Sequence, residues 1–116
     1  MVIEDHPDSR ELLSQVLKSL RARVVTARNI AEAEDHLGQY RADLIVCDMK
    51  LPDGTGRDFI KWLRGQPKAI GRTPAIAVTG YIQRFPANAA TGFDAYMHKP
   101  INLDQFCDTA VALVRS

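Results

Sequence analysis

A chain of 116 residues has the length of one domain and can bury its own core without disulfide or metal staples. Its formal net charge of +1, with both signs interspersed, offers no basic patch, which argues against nucleic acid or an acidic membrane surface as partner. Cys47 and Cys107 show no Cys-x-x-Cys spacing, so neither a disulfide framework nor a zinc site is implied, and free thiols in a reducing cytoplasm are expected.

Val2 and Ile3 read as a fragment of a buried strand that ends on Glu4 and Asp5. Pro7 and Asp8 then suit the first turn of a helix, where the ring is preset and acids meet the helix dipole favourably. Leu13, Val16, Leu17 and Leu20 recur at i, i+3, i+4 and i+7, the spacing of one buried helix face. Residues 23–27 form a β-branched run and a second strand. Asn29 is placed to cap the next helix, whose inner face is Ile30, Ala33 and Leu37 before Gly38 ends it.

Residues 44–47, Leu-Ile-Val-Cys, are apolar without alternation, as in a strand buried on both faces of a parallel sheet. The run stops on a bare carboxylate, Asp48, and Pro52 with Asp53-Gly54 turns the chain into a loop. Phe59, Ile60 and Leu63 mark a third helix, closed by Gly65-Gln66-Pro67. Residues 74–80 are a fourth strand ending on Thr79 and Gly80. Residues 81–92 carry Pro86 and several alanines, which predicts a loop and a short helix over 86–91. Residues 93–97 are a fifth strand, followed by His98-Lys99-Pro100. Asn102 and Gln105 have capping-box spacing at the start of a last helix. Five strands alternating with helices predict an α/β flavodoxin-like (βα)5 fold, a doubly wound parallel sheet of strand order 2-1-3-4-5, in one domain covering residues 1–116.

In such a sheet ligands sit at the carboxyl ends of the strands. Those ends present Glu4 and Asp5, Asp48, Thr79 and Lys99. Three carboxylates outnumber one ammonium. Two unit charges about 4 Å apart interact by roughly 4 kcal/mol at an effective dielectric near 20, so either a carboxylate keeps its proton or a cation completes the site. All candidate ligands are oxygens, which suits Mg²⁺ better than zinc or copper. Mg²⁺ retains positions for water and for a phosphate oxygen, so the site is suited to a metal and an anion beside Asp48. A carboxylate is itself a nucleophile that forms an aspartyl phosphate. Phosphoryl transfer asks mainly for positioning and neutralisation, which Mg²⁺, Lys99 and the Thr79 hydroxyl would supply. Each residue also has an ordinary reading: Glu4 and Asp5 as a helix-capping cluster, Thr79 as a strand residue, Lys99 as a solvated surface lysine.

These residues, in this order and spacing, make the chain resemble the receiver domain of two-component response regulators over essentially its whole length. The motifs are Ile3-Glu4-Asp5-His6-Pro7, Cys47-Asp48-Met49-Lys50-Leu51-Pro52-Asp53-Gly54, Thr79-Gly80 and Tyr96-Met97-His98-Lys99-Pro100. The resemblance implies a phosphorylation-dependent signalling switch, not an enzyme, that assists its own phosphorylation and dephosphorylation. Asp48 would take a phosphoryl group from a phosphohistidine of a sensor histidine kinase or histidine phosphotransfer domain. Mg²⁺ would be held by Asp5, Asp48 and the backbone carbonyl of Lys50, with Glu4 acting through a metal-bound water. Thr79 and Tyr96 would form the switch, and the Lys99–Pro100 peptide would be cis. The sequence around Thr79 and Tyr96 is closer to receivers attached to hybrid histidine kinases than to those of transcription factors. The expected location is the cytoplasm, with no nucleic acid bound by this domain and no membrane span.

One departure from the family pattern is the short interval from Thr79 to Lys99, with Pro86 inside it. The fourth helix is expected to be short or irregular. That helix belongs to the usual output and dimerisation face, so the usual dimer is not assumed. Lys50 and Tyr81 flank the path of attacking water, which predicts slow dephosphorylation. His6 and His98 flank the site but lack partners at metal-ligand spacing, and His36 reads as a surface residue. Two other functions compete with this one. A degenerate receiver serving as a binding module conflicts with the presence of all five key residue types. An aspartyl-phosphate phosphatase of the haloacid-dehalogenase type needs Asp-x-Asp-Gly-Thr, and here Leu51 stands in place of the first Asp.

Overall fold

The computed structural model describes residues 1–80 and 92–115. In chain order these contain β1 (Val2–Ile3), α1 (Pro7–Ser19), β2 (Thr26–Ala27), α2 (Ile30–Leu37), β3 (Ile45–Asp48), β4 (Lys50–Leu51), β5 (Gly54–Thr55), α3 (Gly56–Arg64), α4 (Lys68–Gly71), β6 (Ala75–Thr79), β7 (Ala95–His98) and α5 (Leu103–Arg115). Five strands form one parallel sheet in the order β2-β1-β3-β6-β7, the flavodoxin-like arrangement expected from the sequence.

The unbroken apolar strands resolve into two faces, because successive side chains on a strand point to opposite sides. Ile3, Ile45, Cys47, Ala75 and Ala77 pack with Ile30, Ala33 and Leu37 of α2 and Phe59, Ile60 and Leu63 of α3. Val2, Val46, Ile76, Val78 and Met97 pack with Leu13 and Leu17 of α1 and Phe106 and Ala110 of α5. Both faces are therefore covered, and all four residues of β3 are buried.

Local sequence explains most element ends. Pro7 and Asp8 open α1, although His6 at its N-cap supplies no side-chain bond. Asn29 Oδ1 accepts the Glu32 amide at 2.8 Å and caps α2, and Asn102 Oδ1 accepts the Gln105 amide at 3.0 Å before α5. The Lys99–Pro100 peptide is cis, as the resemblance implies.

Several boundaries differ from the sequence expectation. Leu20 is not in the buried stripe: α1 stops at Ser19, the chain turns through Arg21 at φ 66°, and Leu20 is left exposed. The second strand holds only Thr26–Ala27 of residues 23–27, because two-residue β1 pairs Val2 with Thr26 and Ile3 with Ala27 and nothing further. The fifth strand begins at Ala95 rather than residue 93. Asp94 instead ends the ladder, its amide donating to Ala75 O at 2.9 Å and its carboxylate accepting from Ala75 N at 2.8 Å. The expected loop after Asp48 is a two-stranded antiparallel hairpin, β4 with β5. A four-residue helix, α4, follows Pro67. The helix expected over 86–91, and Tyr81, lie outside the described residues.

Candidate functional site

The sheet register assembles the predicted residues on one rim. Ile3 lies opposite Cys47, so Glu4 and Asp48 follow at neighbouring strand ends. Asp48 lies opposite Val78 and Thr79 opposite His98, which brings Thr79 and Lys99 to the same edge. The Lys99 amide donates to Thr79 O at 2.9 Å and closes the β6–β7 ladder there. Glu4, Asp48 and Thr79 are buried and Asp5 is exposed. One ligand atom from each of Glu4, Asp5 and Asp48 lies within 4.8 Å of the others.

Lys99 Nζ spans the acids, donating to Glu4 Oε1 at 2.9 Å and to Asp48 Oδ2 at 3.2 Å. The other Asp48 oxygen, Oδ1, accepts the Lys50 amide at 3.3 Å. Lys50 thus meets Asp48 through its N–H; its side chain is exposed. Arg10 Nη1 donates to the carbonyls of Glu4 and Asp5 at 3.1 and 3.2 Å, fixing the backbone that carries both acids. Tyr96 pairs with Ala77 in β7 and packs edge-on against Phe93 at 5.7 Å between ring centroids. Its hydroxyl is buried without a hydrogen-bond partner among the described residues.

Charge in the cluster is unevenly shared. Burial, then the adjoining Asp48 carboxylate, pushes the Glu4 pKa up to about 7, and Lys99 only partly opposes this. Burial pulls the Lys99 ammonium down, but its bonds to Glu4 and the attraction of Asp48 outweigh that and raise it. Lys99 therefore stays charged while Glu4 is close to half-protonated near neutral pH. A proton on Glu4 offsets only part of the imbalance of three acids and one base, and an all-oxygen donor set at this spacing also fits a hard cation. The Cys47 thiol, pushed far up by burial and donating to Asp48 O at 3.2 Å, is inert beside this chemistry.

Three supporting contacts escaped the sequence reading. Thr55 and Asp58 form a reciprocal capping box on α3, which the Thr-x-x-Asp pattern could have revealed. Gly56 packs so closely behind Asp48 that an added Cβ would lie 3.1 Å from Asp48 O and 2.7 Å from Met49 Sδ. Asp53 reaches 22 and 23 residues back to the first amides of α2. Within the sequence it reads only as a turn residue. His6 and His98 are exposed, and neither belongs to the acidic cluster.

The chain is similar to known proteins in sequence and in fold. The family model described as "Response regulator receiver domain" matches residues 1–111. The polar-differentiation response regulator DivK of Brucella anthropi is 30% identical over 111 residues, covering 94% of this chain and 89% of DivK. The response regulator protein PilR of Pseudomonas aeruginosa is 31% identical over 121 aligned positions, covering 99% of this chain, but the chain spans only 26% of PilR. In fold, the chain is similar to the receiver domain of the sensor histidine kinase PA1611 of Pseudomonas aeruginosa. The TM-score is 0.87, with 24% identity and coverage of 99% of this chain and 95% of that one. That structure has a magnesium ion coordinated in its active site cleft.

Proposed function

Since this chain belongs to the response regulator receiver domain family of two-component signalling, we propose that Asp48 is its phosphoacceptor. The observation that carries this reading is the position of Asp48. It ends β3 with one oxygen on the Lys50 amide and the other on Lys99 Nζ, beside Glu4 and Asp5. The donor is a phosphohistidine of a sensor histidine kinase or a histidine phosphotransfer domain. A carboxylate oxygen of Asp48 attacks phosphorus, the phosphorus–nitrogen bond breaks, and the imidazole leaves with the bonding electron pair.

The surrounding residues then have distinct tasks. Glu4, Asp5, Asp48 and the Lys50 carbonyl are the proposed holders of Mg²⁺, which would neutralise charge on the phosphoryl oxygens when bound. The magnesium in the cleft of the similar Pseudomonas receiver supports this assignment, as does the oxygen cluster here. Lys99 exchanges its Asp48 contact for a phosphoryl oxygen. The Thr79 hydroxyl bonds a second phosphoryl oxygen and thereby moves, and Tyr96 follows it as the readout. No general base is required, because Asp48 reacts as the carboxylate. The domain, which we assign to residues 1–116, is a switch that assists its own phosphorylation and dephosphorylation rather than an enzyme. Its partners would be the phosphohistidine donor and a downstream protein, in the cytoplasm. Among the described residues no helix is long and apolar enough to cross a membrane.

Incubation with a small acyl phosphate such as acetyl phosphate tests the proposal. Labelling is expected to require Mg²⁺, to be lost on chelation and to vanish in Asp48→Asn. Label that persists in Asp48→Asn would overturn the assignment.

A further inference from the structure

We propose that Asp53 is a positioning residue for Asp48, clamping the β4–β5 hairpin onto the N-terminus of α2. This rests on Asp48 being the phosphoacceptor. Asp53 lies in the turn of the hairpin. Its Oδ1 accepts the Ile30 amide at 2.9 Å and its Oδ2 accepts the Ala31 amide at 3.0 Å. Amides in the first turn of a helix have no partner within it, and a carboxylate there also meets the positive end of the dipole. Asn29 takes the next amide, that of Glu32, at 2.8 Å. Two side chains thus divide the end of α2: Asn29 is local to the helix, whereas Asp53 belongs to the segment that follows Asp48.

A second, steric contact seats the same turn. Gly54 has φ +156°, and an added Cβ would lie 2.9 Å from Ile30 Cδ1 and 3.1 Å from Asp58 Oδ2. The hairpin tip therefore rests directly on the first residue of α2. From this tip the path to Asp48 is short. Leu51 pairs with Gly54, Lys50 pairs with Thr55, and the Lys50 amide donates to Asp48 Oδ1. The Gly56 amide closes the far side of the hairpin on Met49 O at 3.0 Å.

The Lys50–Asp48 bond, at 3.3 Å, is near the long limit for an N–H···O contact. A small shift of the hairpin breaks it. Asp48 Oδ1 then loses its backbone restraint, while Lys99 still holds Oδ2 and the carboxylate is left freer to rotate. Reactions of this kind are sensitive to displacements of the order of 1 Å. Asp53 thereby sets the Asp48 rotamer from a helix that carries none of the reacting groups.

Three variants separate this role from simple helix capping: Asp53→Ala, Asp53→Asn and Asn29→Ala. Each removes or weakens a cap on α2, but the Asn29 side chain bonds an amide of the helix itself, whereas Asp53 ties the helix to the hairpin. Two quantities are read: the acetyl phosphate labelling rate at saturating Mg²⁺, and the hydrogen-exchange rate of the Lys50 amide without phosphate. Asp53→Ala is expected to slow labelling about 10-fold and to speed Lys50 exchange by a similar factor. Asp53→Asn, whose single carbonyl oxygen can still accept one amide, is expected to show about a 3-fold change in each. Asn29→Ala is expected to stay within about 2-fold of the parent in both. Equal effects of Asp53→Ala and Asn29→Ala would reduce Asp53 to a helix cap and overturn the proposal, as would parental values in Asp53→Ala. Should Asp53→Ala not fold, parental values in Asp53→Asn overturn it. Absence of label in the parent protein refutes the phosphoacceptor reading instead. Lys50 exchange then decides the clamp, and an unchanged rate in the Asp53 variants rejects it.

Discussion

Lys99 and Glu4 are 95 residues apart in the chain, and their side chains meet at 2.9 Å. Lys99 follows β7 and Glu4 follows β1, strands separated in the sheet by β3 and β6. The ammonium therefore reaches across the whole candidate site and picks up Asp48 on the way, at 3.2 Å. This one cation neutralises part of the cluster, a proton on Glu4 offsets a further part, and a metal ion, under the proposed function, would compete for the same oxygens.

That competition predicts a pH signature. The Glu4 pKa is raised from an ordinary 4.5 to about 7 by burial and by Asp48, so the folded state holds this proton more tightly than the unfolded chain. Its contribution to stability is full below about pH 4.5 and is lost as pH rises through about 7. Under the proposed function a divalent cation would replace the proton and restore stability where Glu4 is ionised. Thermal melts in chelator are expected to fall in Tm between about pH 5 and pH 8, while the increment given by excess Mg²⁺ grows over the same range. Glu4→Gln is expected to flatten the chelator profile. A parallel profile in that variant would assign the titration elsewhere.

Removing Lys99 leaves two adjoining carboxylates without their cation. Lys99 is one-third exposed, so the cost is smaller than for a fully buried pair, about 1–2 kcal/mol in Lys99→Ala at pH 8. Urea midpoints are expected to recover on adding Mg²⁺ or on lowering the pH to about 5, because both remove the repulsion. Under the proposed function the same variant binds metal but no longer couples phosphorylation to Tyr96, which fluorine or proton resonances of that ring would report.

Gly56 opens α3 directly behind the site. An added Cβ would stand 3.1 Å from both Asp48 O and Met49 Cα, atoms of the backbone that cannot swing aside as a side chain can. Gly56→Ala is expected to cost about 1–3 kcal/mol in denaturant melts, against the slight gain usual for Gly→Ala in a helix. A neutral or stabilising result would mean that the loop after β3 is softer than its packing implies.

Far from the acids, Arg64 at the end of α3 gathers four oxygens. Its guanidinium donates to the carbonyls of Gly92, Gly71 and Thr73 at 3.0, 2.9 and 2.6 Å and to Asp94 Oδ2 at 3.1 Å. Arg64→Ala strands partly buried carbonyls and is expected to destabilise the protein by about 2–3 kcal/mol in urea, with little change in Mg²⁺ affinity. Arg64→Lys would recover little, because an ammonium lacks the planar fork that serves several acceptors at once.

Legibility in the sequence followed the range of the interaction. Asn29 and Asn102 were readable as caps because the amides they bond are three residues on. The third strand, Ile45–Asp48, is readable to within one residue from the run at 44–47, because burial on both faces leaves an unbroken apolar run. Leu20 was misplaced because periodicity alone does not locate the turn at Arg21 that ends α1. The hairpin after Asp48 has the sequence of a loop, since two-residue strands carry too little alternation to register. The capping box of Thr55 and Asp58 is local, but its Thr-x-x-Asp pattern is set among turn residues that mask it.

The sequence by itself determined the membership of the candidate site. In a parallel sheet every carboxyl end shares one rim, so assigning strands and reading their last residues brings Glu4, Asp5, Asp48, Thr79 and Lys99 together without any knowledge of distance. Only the tertiary structure decided how those groups share charge and what holds them. The Glu4 carboxyl is pushed up to about 7 because it is buried against Asp48, a condition set by β1 lying beside β3 and not by any neighbour in the chain. Asp53 on α2, Arg64 on four oxygens and Lys99 on Glu4 join residues from 7 to 95 positions apart. No local pattern encodes such bonds, because they are chosen by whichever polar groups the packed helices leave without partners.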